Sequence, residues 1–323
     1  MTVLATARRG HRGLYAFAVA MATLTPILAV LAVVDDRVLL GAPLWLKPLK
    51  FAISLALYSA TLAWMLGQLR ERALQRVGWI VTVAGAVEMA IIVGQAAVGN
   101  RSHYNVDTPL SAALWSTMGV TIVVLWLATL AVALRFLKGG GTRPGPLAEP
   151  DGLATSPGLV PPIHGRDRAA TTAIRLGLVV ALVGLAEGFL MATAGAHAVG
   201  VPDGGPGLPL VGWSATGGDL RIAHFVGMHA LQGLPLIAAG LAVTRRIDEL
   251  TRTRLVRIAA VAWTGLTVLL AWQALRAQPL LAPDALTLGA LAVLVLSTLA
   301  ATASVLVAGR RVLVPAYTWA STP

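Results

Sequence analysis

Two carboxylates stand inside long apolar stretches, Glu88 in VTVAGAVEMAIIVGQ and Glu187 in VALVGLAEGFLMATA. An ionised group at the centre of a bilayer costs about 2.5–3.5 kcal/mol on insertion scales, so both must face protein and be paired or protonated. Gly85, Glu88, Ile92, Gln95 and Gly99 recur at helical spacing and form one stripe, with small residues for close helix approach and polar ones for cross-helix hydrogen bonds. His229 and Gln232 are three residues apart and also neighbours on a helix. Counting about 1.5 Å per residue from the nearest apolar boundary puts Glu88, Glu187, His229 and Gln232 in one layer near the midplane. Pro235 leaves the carbonyl of Leu231 without its helical donor, and Pro26 does the same in the first apolar run. These groups suit proton exchange or cation binding by the two Glu, with His229, Gln95 and Gln232 as partners. A plainer reading is a buried network that only fixes helix packing.

The histidines offer a second chemistry. His103, His197 and His224 fall near one interface, and three His with a water form a catalytic zinc arrangement. A haem is the other candidate, because Gly195, Gly227 and Gly233 flank His197 and His229 and would admit a porphyrin edge. Matched axial ligands favour His197 with His224 over His229. His224 and His229, five apart, point about 140° away from one another and do not form a metal pair. His11 and His164 are expected to be solvated.

These residues need a scaffold, and composition supplies it. The chain is 57% hydrophobic and 12% charged, against roughly 25% charged in soluble domains. Cysteine is absent, which removes disulfide and thiolate chemistry. The net charge of +11 would suit nucleic acid, but the basic residues cluster at the ends of apolar runs, so the expected partner is the lipid bilayer, with a small molecule or ion as cargo and no nucleic acid. The predominance of Arg over Lys, with abundant Ala, Gly, Pro and Val, points to a GC-rich bacterial genome.

Eight runs are long enough to span: Tyr15 to Val34, Phe51 to Leu69, Gly78 to Val98, Ser111 to Leu137, Ile174 to Gly200, Leu220 to Val243, Ile258 to Leu275 and Ala285 to Gly309. The first is read as retained rather than cleaved, since no small-residue cleavage site precedes Asp35. With a cytoplasmic amino terminus, 19 of the 25 Lys and Arg fall on the cytoplasmic side, and the bias holds loop by loop. The fold expected is all-α and polytopic, with about eight transmembrane helices and both termini cytoplasmic. Residues 1–137 form a first four-span half, 138–170 a flexible Gly/Pro-rich cytoplasmic linker, and 171–323 a second half.

Smaller signals complete the reading. Gly-Ala-Val-Glu at 85–88 and Gly-Leu-Ala-Glu at 184–187, each followed by Ala-Val-Gly and an Asp-led span, hint at duplicated hairpins, with chance as the alternative. Asp107, Asp219 and Asp284 precede spans and are expected to cap them. The outer loop Val201 to Gly218 is either a lid over the outer mouth or a simple connector.

Three segments, Trp45 to Phe51 (WLKPLKF), Arg101 to Asn105 (RSHYN) and Gly218 to Gln232 (GDLRIAHFVGMHALQ), resemble a group of multi-spanning bacterial inner-membrane proteins with no assigned activity. The resemblance implies a bacterial cytoplasmic membrane location and carries over no residue role. The functional candidates are therefore a carrier or channel with a buried Glu/His/Gln site open to the outer side, a His-ligated metal or haem protein acting in redox or hydrolysis, and a structural membrane subunit.

Overall fold

A computed structural model describes residues 3–69, 71–139, 167–244 and 247–312. The stretch 140–166, with most of the expected linker and His164, lies outside the described residues. The chain runs α1 (Val3–Gly10), α2 (Arg12–Val34), β1 (Val38–Leu39), β2 (Ala42–Pro43), α3 (Leu46–Leu69), α4 (Arg72–Ala97), α5 (Pro109–Leu137), α6 (Arg168–Ala194), β3 (Ala198–Val199), β4 (Gly218–Asp219), α7 (Leu220–Met228), α8 (Ala230–Val243), α9 (Glu249–Leu275) and α10 (Ala285–Val312).

Among the described residues seven of these helices are long and apolar enough to cross a bilayer, and α7 with α8, which meet at a bend of 43°, bring the number to eight if the pair counts as one span. At about 1.5 Å per residue, even the 23-residue α2 exceeds a hydrocarbon core of roughly 30 Å. The protein is an all-α, multi-pass membrane protein.

The bend between α7 and α8 sits at His229, six residues before Pro235. The indole N–H of Trp263 on α9 donates to the Val226 carbonyl at 2.7 Å, taking the acceptor that the continuous helix would use. A side chain inserted into the helical ladder is a recognised cause of a kink.

The ends of the helices follow their local sequence. Thr108 caps α5 through its hydroxyl, with Pro109 at the first helical position. Asp219 caps α7, Asp284 accepts from the Thr287 N–H at 2.8 Å, and Asp167 and Asp248 cap α6 and α9. Asp107 departs from expectation: Thr108 takes the cap, and Asp107 pairs with Arg101 at 3.3 Å instead. α6 ends at Ala194, before the expected Gly200, because Gly195 enters the left-handed region and closes the helix.

His11 is the clearest correction. It is buried, not solvated, because the basic arm before it folds as α1. Its Nδ1 accepts from the Leu14 N–H and caps α2, while its Nε2–H donates to the Gln75 carbonyl at 2.9 Å.

Neighbouring helices pack in sequence order, α2 on α3, α4 on α5, α5 on α6, and α6 then touches α7, α8 and α9. One core cluster draws on α1, α3, α4, α5, α6 and α8, with Ala7, Leu62, Val81, Val132, Ile174 and Leu231 among its members. α10 packs on α9 and otherwise presents Leu288, Val295 and Leu299, suited to lipid. The charge asymmetry makes the side testable. Reporter fusions after Arg72 and after Arg252 should read as cytoplasmic, and fusions at Asn105 and Thr216 as external. A single fusion on the opposite side would end the eight-span arrangement.

Candidate functional site

At the end of the bundle that the charge rule puts outside, the three segments singled out in the sequence meet. WLKPLKF supplies the start of α3. Trp45 donates to Asp35 at 2.6 Å, which together with Arg37 holds that carboxyl well below its ordinary range, the Arg37 guanidinium contributing most. Phe51 lies edge-on to His103 with ring centres 5.5 Å apart. RSHYN folds into a tight turn with Tyr104 at φ 57°, closed by Asn105 Nδ2 donating to the Arg101 carbonyl at 3.0 Å. Tyr104 lies edge-on to Trp115 with ring centres 4.9 Å apart and packs against Met191, Leu220 and Ala274 of α6, α7 and α9.

GDLRIAHF opens α7 with a fully buried carboxylate. Asp219 accepts from the Arg221 guanidinium at 2.6 and 2.9 Å, from the Arg221 backbone N–H at 3.0 Å and from the Ser214 N–H at 2.8 Å. The other Arg221 contact reaches the Gly212 carbonyl at 2.5 Å, and Lys50 of α3 donates to the Val211 carbonyl at 2.9 Å. The outer loop is thus pinned from α3 and from α7 and folded on itself by a Leu208 N–H to Trp213 carbonyl bond of 2.7 Å. Lys47, one turn from Lys50, lies within electrostatic range of Arg221, Lys50, Asp203 and Glu88, and forms no hydrogen bond or ion pair among the described residues.

Each residue singled out by type has its own place. Glu88 is 1% exposed; its Oε1 accepts a very short bond from the Thr121 hydroxyl of α5, and its Oε2 is buried without a partner. Glu187, 8% exposed, likewise buries an Oε2 without a partner. It shares a face of α6 with Gly184 and Met191, toward α7. Because α6 stops at Ala194, Glu187 lies only seven residues below the helix end, about 10 Å, and is shallower than the sequence count implied. His229 Nδ1 pairs with Gln232 Oε1 at 3.3 Å, and Gln232 Nε2 donates to Thr61 of α3 at 3.3 Å. Gln95 is buried near the outer end of α4. No hydrogen bond or ion pair among the described residues joins either Glu to His229 or Gln232.

The histidines also part company. His103 sits among Phe51, Tyr104 and Trp115 with its Nδ1 paired to Ser102 at 3.0 Å; burial and the nearby Lys47 hold it well below the usual imidazole range. His224 donates to the Gly184 carbonyl at 2.7 Å. His197 lies 3.3 Å from Asp203 and 3.8 Å from Asp219. Among the described residues no group of three or more His, Asp or Glu is placed to hold a metal ion. Two of the glycines that would admit a haem edge are filled by protein: Gly227 meets the Gly184 backbone and Gly233 the Trp263 ring.

Sequence reasoning passed over Lys47, Lys50, Tyr104, Thr121 and Asp203 as chemistry, although the first three lie within segments it had marked. Comparison of the chain with protein-family models, curated proteins and solved structures yields no match. The class defined by fold and composition is therefore a multi-pass α-helical membrane protein, and the rest is argued from the site.

The loop contacts predict a pH response. Burial, then Arg221, lower His197 to about 4 from an ordinary 6.5, while Asp203 and Asp219 pull the other way. Neutral when the loop is closed, His197 gains a proton more readily when the loop opens. Closure is then fully stabilised above pH 6.5 and weakens as pH falls toward 4. Hydrogen exchange of 201–217 should accelerate across that window, and His197→Gln should flatten the response; a wild-type profile flat from pH 7 to 4 would contradict it.

Proposed function

We propose that the protein is a carrier or channel of a bacterial cytoplasmic membrane, with a solute or ion site at the outer half of the bundle that uses Glu88 as its titrating group. The observation that carries the reading is the partnerless Oε2 of Glu88. A buried carboxylate oxygen without a donor costs stability, and persists where a ligand, water or proton completes it. Thr121 engages only the other oxygen, so Oε2 is the free position. Glu187 offers a second carboxyl of the same kind on α6, suited to exchanging a proton or cation beside α7.

The test is substitution with Gln, which keeps shape and the acceptor for Thr121 but cannot titrate. Glu88→Gln and Glu187→Gln should insert normally and melt within about 3 °C of wild type, corresponding to about 1 kcal/mol. In liposomes with a trapped pH dye, both should lose most of the flux that a pH gradient drives through the wild-type protein. Wild-type flux retained in both variants would leave the carboxyls as packing groups.

A further inference from the structure

The arginines divide by partner. Arg37, Arg101, Arg135, Arg221, Arg252 and Arg276 each pair with an Asp or Glu. Arg8, Arg12, Arg72 and Arg76 are exposed, and their side chains form no hydrogen bond or ion pair among the described residues. All four stand on α1, α2 and α4 at the end of the bundle that the charge rule puts inside. The nearest carboxylate in sequence, Glu71, is already engaged by Arg135.

Short contacts fix these elements to one another. His11 Nε2–H donates to the Gln75 carbonyl and Gln75 Nε2 donates to the Gly10 carbonyl, both at 2.9 Å. Trp79 lies edge-on to His11 with ring centres 5.4 Å apart, and a Cβ on Gly13 would sit 2.7 Å from its ring. One further turn along each helix, a Cβ on Gly85 would sit 2.9 Å from the Phe17 ring. The contacts advance together along the chain, so α2 and α4 run parallel. On parallel right-handed helices, positions just before the contacts of one and just after the contacts of the other lie on the same side. On α2 this side carries Arg12, Ala16 and Val19. On α4 it carries Arg72, Arg76, Trp79 and Val83, and every one of these residues is exposed.

The groove between the two stripes is basic at its mouth, presents an indole next and turns apolar beyond it. The indole N–H of Trp79 forms no hydrogen bond among the described residues. A phosphodiester suits the mouth, because guanidiniums from two helices can engage its free oxygens and leave the indole N–H for an ester oxygen. A zwitterionic headgroup brings a cation that the arginines repel, and a soluble anion gains nothing from the apolar part.

We propose that the α2–α4 groove binds an anionic phospholipid of the surrounding bilayer, its phosphate on Arg12 and Arg76 and an acyl chain along Ala16, Val19, Trp79 and Val83. Four clustered basic residues beside a span are the charge pattern that anionic headgroups recognise. The site is independent of Glu88 and of the carrier reading.

The test is a thermal-shift titration of the full detergent-solubilised chain with dioleoylphosphatidylglycerol, against dioleoylphosphatidylcholine and inorganic phosphate. The phosphatidylglycerol should raise the melting temperature at concentrations where the other two do not. Arg12→Gln combined with Arg76→Gln should weaken that effect by about tenfold or more. Arg254→Gln combined with Arg257→Gln removes the same charge from exposed positions near the same end of α9 and should weaken it by less than about threefold. Equal losses in the two double variants would overturn the site in favour of a diffuse basic surface. Equal effects of the two lipids would overturn it in favour of an unselective apolar contact, and an equal effect of phosphate in favour of a soluble-anion site. If the Arg12 and Arg76 variant does not fold, a photoactivatable phosphatidylglycerol tests the wild-type protein instead. Its crosslinks should concentrate on residues 12–19 and 76–83, and crosslinks confined to other helices would sink the proposal.

Discussion

Asp219→Ala is expected to unlatch the outer loop and to cost about 3 kcal/mol, the low end for stranding one partner of a buried ion pair. The low end applies because Arg221 is 27% exposed at its side chain and water can reach it, whereas Asp219 itself is fully enclosed. Three contacts fail together: the cap of α7, the bidentate hold on Arg221 and the Ser214 N–H. A cap alone is worth about 1 kcal/mol, so the excess measures the latch. Asn at this position keeps acceptors for the Arg221 and Ser214 backbone N–H groups but gives up the charge, so Asp219→Asn should fall between wild type and Ala. Membrane insertion should be unaffected, because the spans insert on their own hydropathy. The measurement is limited proteolysis of residues 201–217 in proteoliposomes alongside melting temperature. Unchanged cleavage in the Ala variant would show that the loop is held by other contacts.

The spans were legible because lipid imposes a uniform test: a helix either removes about 30 Å of backbone from water or it does not. That test says nothing about residues 3–11, where Arg8 and Arg9 read as a solvated arm while Ala7 and His11 are buried by folding back on α3 and α4. It also missed the end of α6, because apolar residues continue past Gly195 and only a left-handed backbone stops the helix there. The depth count then misplaced Glu187. The buried carboxylates themselves were readable, since their cost in lipid marks them whatever the fold. Their partners were not. Thr121 is 33 residues from Glu88 and carries no signal of its own. The three segments WLKPLKF, RSHYN and GDLRIAHFVGMHALQ could be marked in the sequence, but their meeting at one end of the bundle depends on tertiary packing.

Gly184→Val is expected to prevent accumulation of folded protein, and Gly184→Ala to destabilise by about 2–3 kcal/mol, the range for overpacking a tight contact. A Cβ at 184 would lie 2.4 Å from the Met228 N, 2.5 Å from the Gly227 carbonyl carbon and 2.6 Å from its Cα. All three are backbone atoms, so no rotamer change relieves the clash and α6 must part from α7. That separation would propagate. The His224 bond to the Gly184 carbonyl at 2.7 Å would stretch, and Gly177, whose own Cβ would meet the Ala230 carbonyl at 2.9 Å, would lose its close approach to α8. Glu187 follows Gly184 by three residues on the same face, so the carboxyl would move with it. Helix pairs in lipid lack a hydrophobic drive to associate and depend on such close backbone packing, which makes the loss hard to recover elsewhere. Gly94 provides the control. It lies in α4, where an added Cβ would meet no atom within 4 Å, so Gly94→Ala should be neutral or add up to about 1 kcal/mol through helix propensity. Monodispersity after size exclusion and melting temperature, measured for both alanine variants, separate the two cases. Equal stability of Gly184→Ala and Gly94→Ala would mean that the α6–α7 crossing is looser than its backbone distances require.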